Sequence, residues 1–143
     1  MTVVLGYDES PGAARALKAA IEVAAAFGGP LILVYGITPP GGVGEEHASH
    51  REALRIIGRT ALEAAVEAAD AAGVPTTLEV VDAKPVEALL AIAERYDARV
   101  IVVGTWGESA LKGAILGSTP HKLLHLSTRP VLCVPAHPDA AEG

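Results

Sequence analysis

The feature that most constrains this chain is the alternation of short, unbroken apolar runs with longer segments of helical period. The runs at 2–6 (TVVLG), 31–35 (LILVY), 77–81 (TLEVV), 100–103 (VIVV) and 131–134 (VLCV) are rich in β-branched residues and almost continuously apolar. Such runs suit strands buried on both faces, as in parallel sheets. Between them the apolar residues recur every three or four positions. Ser10 is a candidate N-cap and Pro11 can take the first helical position, where its missing N–H costs nothing. Leu17, Ile21 and Ala24 then repeat until Gly28-Gly29-Pro30 stops the helix. A second helix spans about 45–72, with Leu54, Ile57, Ala61, Ala64 and Ala68 on one face, and Gly73 and Pro75 end it. A third opens at Pro85, turns Val86, Leu89, Leu90 and Ala93 inward, and stops before Asp97. A short fourth helix runs from about Thr119 to Leu126.

The order β-α-β-α-β-α-β-α-β predicts a three-layer, doubly wound α/β domain. Its five-stranded parallel sheet is crossed by four helices with right-handed connections. At 143 residues one domain is expected, burying about 68–70% of the unfolded surface. That domain is read over 1–135, followed by a small polar tail at 136–143 (AHPDAAEG). The segment 38–50 (TPPGGVGEEHASH) reads as a Pro/Gly-rich loop entering the second helix.

Charge and composition narrow the function. A net charge of −6 opposes nucleic-acid binding, which needs a basic face to neutralise phosphates. No apolar run approaches the roughly 18 residues of a membrane span. No basic, cleavable leader opens the chain, and its single cysteine cannot form an internal disulfide. A cytoplasmic protein is the expectation.

In open parallel sheets, ligands bind beyond the carboxyl ends of the strands, where the strand order reverses. Three segments arrive there: Gly6-Tyr7-Asp8, Gly36-Ile37-Thr38, and the long turn after the fourth strand. That turn contains Gly104-x2-Gly107-x9-Gly117-Ser118, with Thr119 and Pro120 next. Glycine lets backbone amides approach an anion, and a helix start supplies unpaired N–H groups with partial positive charge. Ser118 and Thr119 add hydroxyls. The pattern reads as a phosphate cradle built mostly from backbone, although strand-end glycines also serve ordinary turns. It is neither a Walker A loop, lacking Gly-Lys-Ser/Thr, nor a dinucleotide fingerprint.

Other candidates carry less. Asp8, Glu9 and Asp82 resemble the acidic set of a phospho-acceptor domain, but the lysine needed after the fifth strand is replaced by Pro135-Ala136-His137. His121 and His125 are four apart on a predicted helix, without a carboxylate or cysteine at metal-site spacing, so exposed or packed histidines are the preferred reading and no metal site is assigned. His47 and His50 would have to be ordered before they could bind. Cys133, inside a strand, reads as a small buried hydrophobe. Arg55 and Arg59 read as a solvated helix face, with Glu52 at pairing distance.

The glycine motif resembles the nucleotide-binding pattern of the universal stress protein family, spacing included. The likeness extends to Val3-Val4-Leu5-Gly6-Tyr7-Asp8-Glu9-Ser10-Pro11 at the start. It continues through Ala98-Arg99-Val100-Ile101-Val102-Val103-Gly104 and Arg129-Pro130-Val131-Leu132-Cys133-Val134-Pro135 near the end. The resemblance implies a sheet ordered 3-2-1-4-5, homodimers through the last strand (Val131–Val134), and ATP or a related adenine nucleotide across the strand ends. It implies Asp8 at the ribose or base and the Gly36 segment facing adenine. Val103 and Gly104 would form the floor, and Gly107, Gly117, Ser118 and Thr119 would hold the phosphates. Tyr7 and Trp106 complete the candidate set, and Mg²⁺ would be held through the phosphates. No catalytic residue is assigned, so weak ATP hydrolysis is the most expected. Three positions depart from the family pattern: Gly36 where a larger apolar residue is usual, Trp106 where His, Arg or Ser is common, and Pro120 where a donor often stands. They favour the alternative of a dimeric interaction module, with Trp106 filling the cleft.

Overall fold

The computed structural model describes residues 1–8, 11–36, 45–105 and 117–135. Along them run β1 (Val3–Gly6), α1 (Pro11–Phe27), β2 (Leu31–Gly36), α2 (Glu45–Ala71), β3 (Thr76–Val81), α3 (Pro85–Arg95), β4 (Val100–Gly104), α4 (Ser118–Leu126) and β5 (Val131–Val134). All four strand pairings are parallel and the sheet order is β3-β2-β1-β4-β5. Each strand boundary falls within one residue of the periodicity reading, because a continuous apolar run ends where the chain leaves the sheet.

Alternation along each strand divides the core in two. Val3, Leu5, Leu31, Leu33 and Val102 point to one face, where Ala16, Ala20 and Ala24 of α1 and Leu62, Ala65 and Ala69 of α2 cover them. Val4, Ile32, Val34, Ile101 and Val103 point to the other, against Ala88, Leu89, Ile92 and Ala93 of α3 and Leu123 of α4. Alanine dominates the inner sides of α1 and α2, so these helices ride close on a sheet face made of Leu and Val.

Two helix faces differ from the expectation. On α2 the buried residues are Gly58, Ala61, Leu62, Ala65 and Ala69, whereas Ile57, Ala64 and Ala68 are exposed and the side chain of Leu54 lies outside the described residues. Ala61 belongs to both stripes, and the expected one is rotated off the sheet towards α1. There Ala68 helps line an apolar groove with Ala14, Leu17 and Ile21. Gly58 reaches the sheet because a Cβ there would stand 2.9 Å from the Tyr35 ring. Arg55 is not merely solvated, since it donates to the Val80 carbonyl on the outer strand at 3.4 Å. On α3, Ala88, Leu89, Ile92 and Ala93 are buried, while Val86 and Leu90 are only half-buried.

Polar contacts tie helix ends to the sheet. Tyr96, capping α3, donates its hydroxyl to Glu79 Oε1 at 2.7 Å, and that bond, with burial, raises the phenol above its ordinary range. At the sheet's amino edge, Arg129 bonds Asp97 at 2.8 Å and the Ala98 carbonyl at 3.0 Å. Asp97 there takes φ +50, the left-handed conformation that Asp tolerates.

Candidate functional site

The reversal of strand order lies between β1 and β4: α1 leaves β1 over one face, and α4 follows β4 over the other. Asp8, exposed, follows the end of β1. The Tyr7 amide prolongs the β1–β2 ladder by donating to the Val34 carbonyl at 3.0 Å. Its side chain packs, half-buried, against the α1/α2 core. Val103 is buried on the α3/α4 side, within the core there.

Gly104 ends β4 where the backbone of α1 comes closest. A Cβ on it would lie 3.2 Å from the Gly12 carbonyl oxygen. Two glycines thus let the start of α1 settle onto the end of β4, leaving backbone rather than side chains beside the crevice. Gly12 was not singled out by the sequence reading. The available signal was a glycine directly after the helix-opening Pro11.

Thr105, also not singled out, ties the end of β4 to β5 and to the start of α4. Its amide donates to the Val134 carbonyl at 2.9 Å, and its own carbonyl accepts the Gly117 amide at 2.7 Å. The first residues of α4 are thereby held beside the end of β4. Gly117 is the N-cap in extended conformation and brings no side chain of its own to cap the helix. Within an α-helix the first amides have no internal acceptor. Here the His121 amide turns back to the Gly117 carbonyl at 3.2 Å, and Pro120 has no N–H. Ser118 and Thr119 are the first residues of that turn, where helix-dipole character is positive. Pro120, buried, fits the first turn and removes only an amide that the helix would leave unpaired.

Gly36 sits at the same edge for a packing reason. A Cβ there would come within 2.9 Å of the Ala83 carbonyl and 3.2 Å of Pro85 Cα, both backbone atoms of the turn into α3. Gly36→Val is therefore expected to lower stability by about 1–3 kcal/mol through overpacking. A lower denaturant midpoint at unchanged slope would show this, and an unchanged midpoint would mean that the turn yields freely. Trp106 and Gly107 lie outside the described residues, as do Glu9, Ser10 and the tail.

Arg15 Nε donates to the Pro135 carbonyl at 3.1 Å, tying α1 to the end of β5. Cys133 is free and half-buried, and burial raises its thiol above the ordinary range, away from thiolate chemistry. Among the described residues no three His, Cys, Asp or Glu side chains gather as a metal site, and no helix is long and apolar enough to cross a membrane.

Comparison with known proteins agrees with this layout. The model of the universal stress protein family matches residues 1–135. A universal stress protein of Thermus aquaticus is 35% identical over 135 residues, covering 93% of this chain and 97% of its own. A universal stress protein solved in complex with cAMP is 31% identical, with a TM-score of 0.73 and coverage of 96% and 98%. A third, from Lactobacillus plantarum, shares the fold at a TM-score of 0.84 with 15% identity, covering 94% of this chain and 97% of its own. A five-stranded sheet in this order, its glycine-lined edge between β1 and β4, and a family match over 135 residues together place this chain in the universal stress protein family.

Proposed function

We propose that the protein binds an adenine nucleotide, ATP in the first instance, across the carboxyl ends of β1 and β4, and serves as a stress-response sensor or regulator. The observation that carries this is the start of α4. Its glycine N-cap donates to the Thr105 carbonyl and brings no side chain of its own to cap the amides that follow. The Ser118 and Thr119 amides, in the first turn of that helix, are the donors that an anion at the crevice would meet. The relative solved with cAMP is an adenine-nucleotide complex of the same family, which supports this ligand class.

The phosphates would meet Gly117, Ser118 and Thr119. Asp8 would serve the sugar, where a carboxylate accepts two hydroxyl hydrogen bonds and keeps its charge from the phosphates. Mg²⁺ would enter through the phosphate oxygens. We assign no general base or nucleophile, and expect ATP turnover to be weak.

The same reading places the protein in the cytoplasm as a homodimer through β5. Among the described residues that strand has a partner on one side only. Leu132 on it and Leu124 and Leu126 on α4 are 38%, 52% and 60% exposed, apolar surface that a second copy would cover. These leucines are also the observation favouring an interaction module that needs no nucleotide.

Mass detection of small molecules released on denaturation, then calorimetry of the emptied protein with Mg-ATP and with cAMP, tests the choice. Co-purifying or micromolar-binding adenine nucleotide is expected. Absence of both carry-over and heat would overturn the sensor reading in favour of the interaction module.

A further inference from the structure

The side of α4 turned away from the sheet carries two imidazoles that neither the core nor the nucleotide edge uses. His121 and His125 stand one turn apart, their ring centroids 4.7 Å apart and their planes inclined at 72°. Both are exposed, while Pro120 and Leu123 of the same helix are buried. Packing therefore does not account for either ring. On a helix, residues four apart are neighbours and their side chains lean together towards the N-terminus.

The separation is informative. With metal–nitrogen bonds of about 2.0–2.1 Å, two imidazoles on one ion place their centroids roughly 4.5 Å apart at a right angle and roughly 5.2 Å apart at the tetrahedral angle. The observed 4.7 Å lies between these values. The two ring centres thus already stand at a spacing that two imidazoles on one ion adopt. An edge-to-face ring contact alone also suits this distance, so the two explanations must be separated by binding.

We propose that His121 and His125 form a two-imidazole site for a late first-row divalent transition ion. Cu²⁺ binds most tightly and Ni²⁺ and Zn²⁺ more weakly, following imidazole preference and the stability order of these ions. Two protein ligands leave the remaining positions to water, which makes the site open and exchangeable rather than structural. Lys122, exposed on the same turn, is the adjacent cation that opposes the ion. The site is independent of the nucleotide reading.

The test uses the full chain without a histidine tag, titrated with Cu²⁺ and followed by calorimetry and electron paramagnetic resonance. One Cu²⁺ per chain with nitrogen ligation is expected. His121→Ala and His125→Ala should each weaken binding by at least about tenfold. The pair His47→Ala/His50→Ala, and His137→Ala, should leave it unchanged. Both α4 histidines are exposed, so circular dichroism should be the same in every variant. Absence of binding by the unaltered chain, single variants within about twofold of it, or loss only with His47 and His50 would each overturn the proposal.

Discussion

Leu5→Ala is expected to lower the unfolding free energy by about 2–5 kcal/mol, through lost transfer energy and the cavity left behind. Leu5 lies on the central strand, fully buried, in register with Leu33 on β2 and Val102 on β4. The strands on both sides and the alanine face of α1 would have to move together to refill the space. A single domain commonly has about 5–15 kcal/mol in all, so the variant would sit near the limit of folding. Denaturant titration checks this as a large fall in midpoint at constant slope. Ile56→Ala on α2, with its side chain 58% exposed, is the control and should lose much less. Equal losses at the two positions would mean that the sheet is not packed as described.

The second large effect concerns binding. Gly117→Val places a branched side chain at the N-cap of α4, where the proposed phosphates need open access to the first amides. Affinity for Mg-ATP is expected to fall at least about tenfold, or roughly 1.4 kcal/mol. Valine is also a poorer N-cap than glycine, by up to about 1 kcal/mol of helix stability. Circular dichroism and the unfolding midpoint must therefore accompany the calorimetry. Unchanged affinity in a folded variant would put the nucleotide elsewhere.

The strands were legible because their apolar runs are short, continuous and bounded by glycine or proline. The helices were legible in extent but less so in facing. On α2 alanines surround most of the circumference, so hydropathy alone does not select the buried side. The choice is made by Gly58, which scores as neutral yet is what lets the helix approach Tyr35. The spacing of Gly104, Gly117 and Ser118 pointed to the carboxyl edge of the sheet, where the structure has these residues. Their separate reasons were hidden, since Gly104 answers to Gly12 and Gly36 to the turn at Ala83 and Pro85. These contacts join residues far apart in sequence. The hydrogen bonds of Thr105 were invisible for the same reason, because they involve its backbone and not its side chain.

Arg15 holding the Pro135 carbonyl has a practical consequence for handling the protein. Met1 stands at the amino edge of the sheet, 67% exposed, whereas Pro135 stands at the carboxyl edge beside the end of β4. A reporter or affinity handle fused ahead of Met1 would begin on the far side from the crevice. One fused shortly after Pro135 would begin next to it and would compete for the same space as a ligand. Fluorophore placement can exploit that asymmetry: a dye near Pro135 should sense occupancy of the crevice, and a dye at the amino end should remain silent.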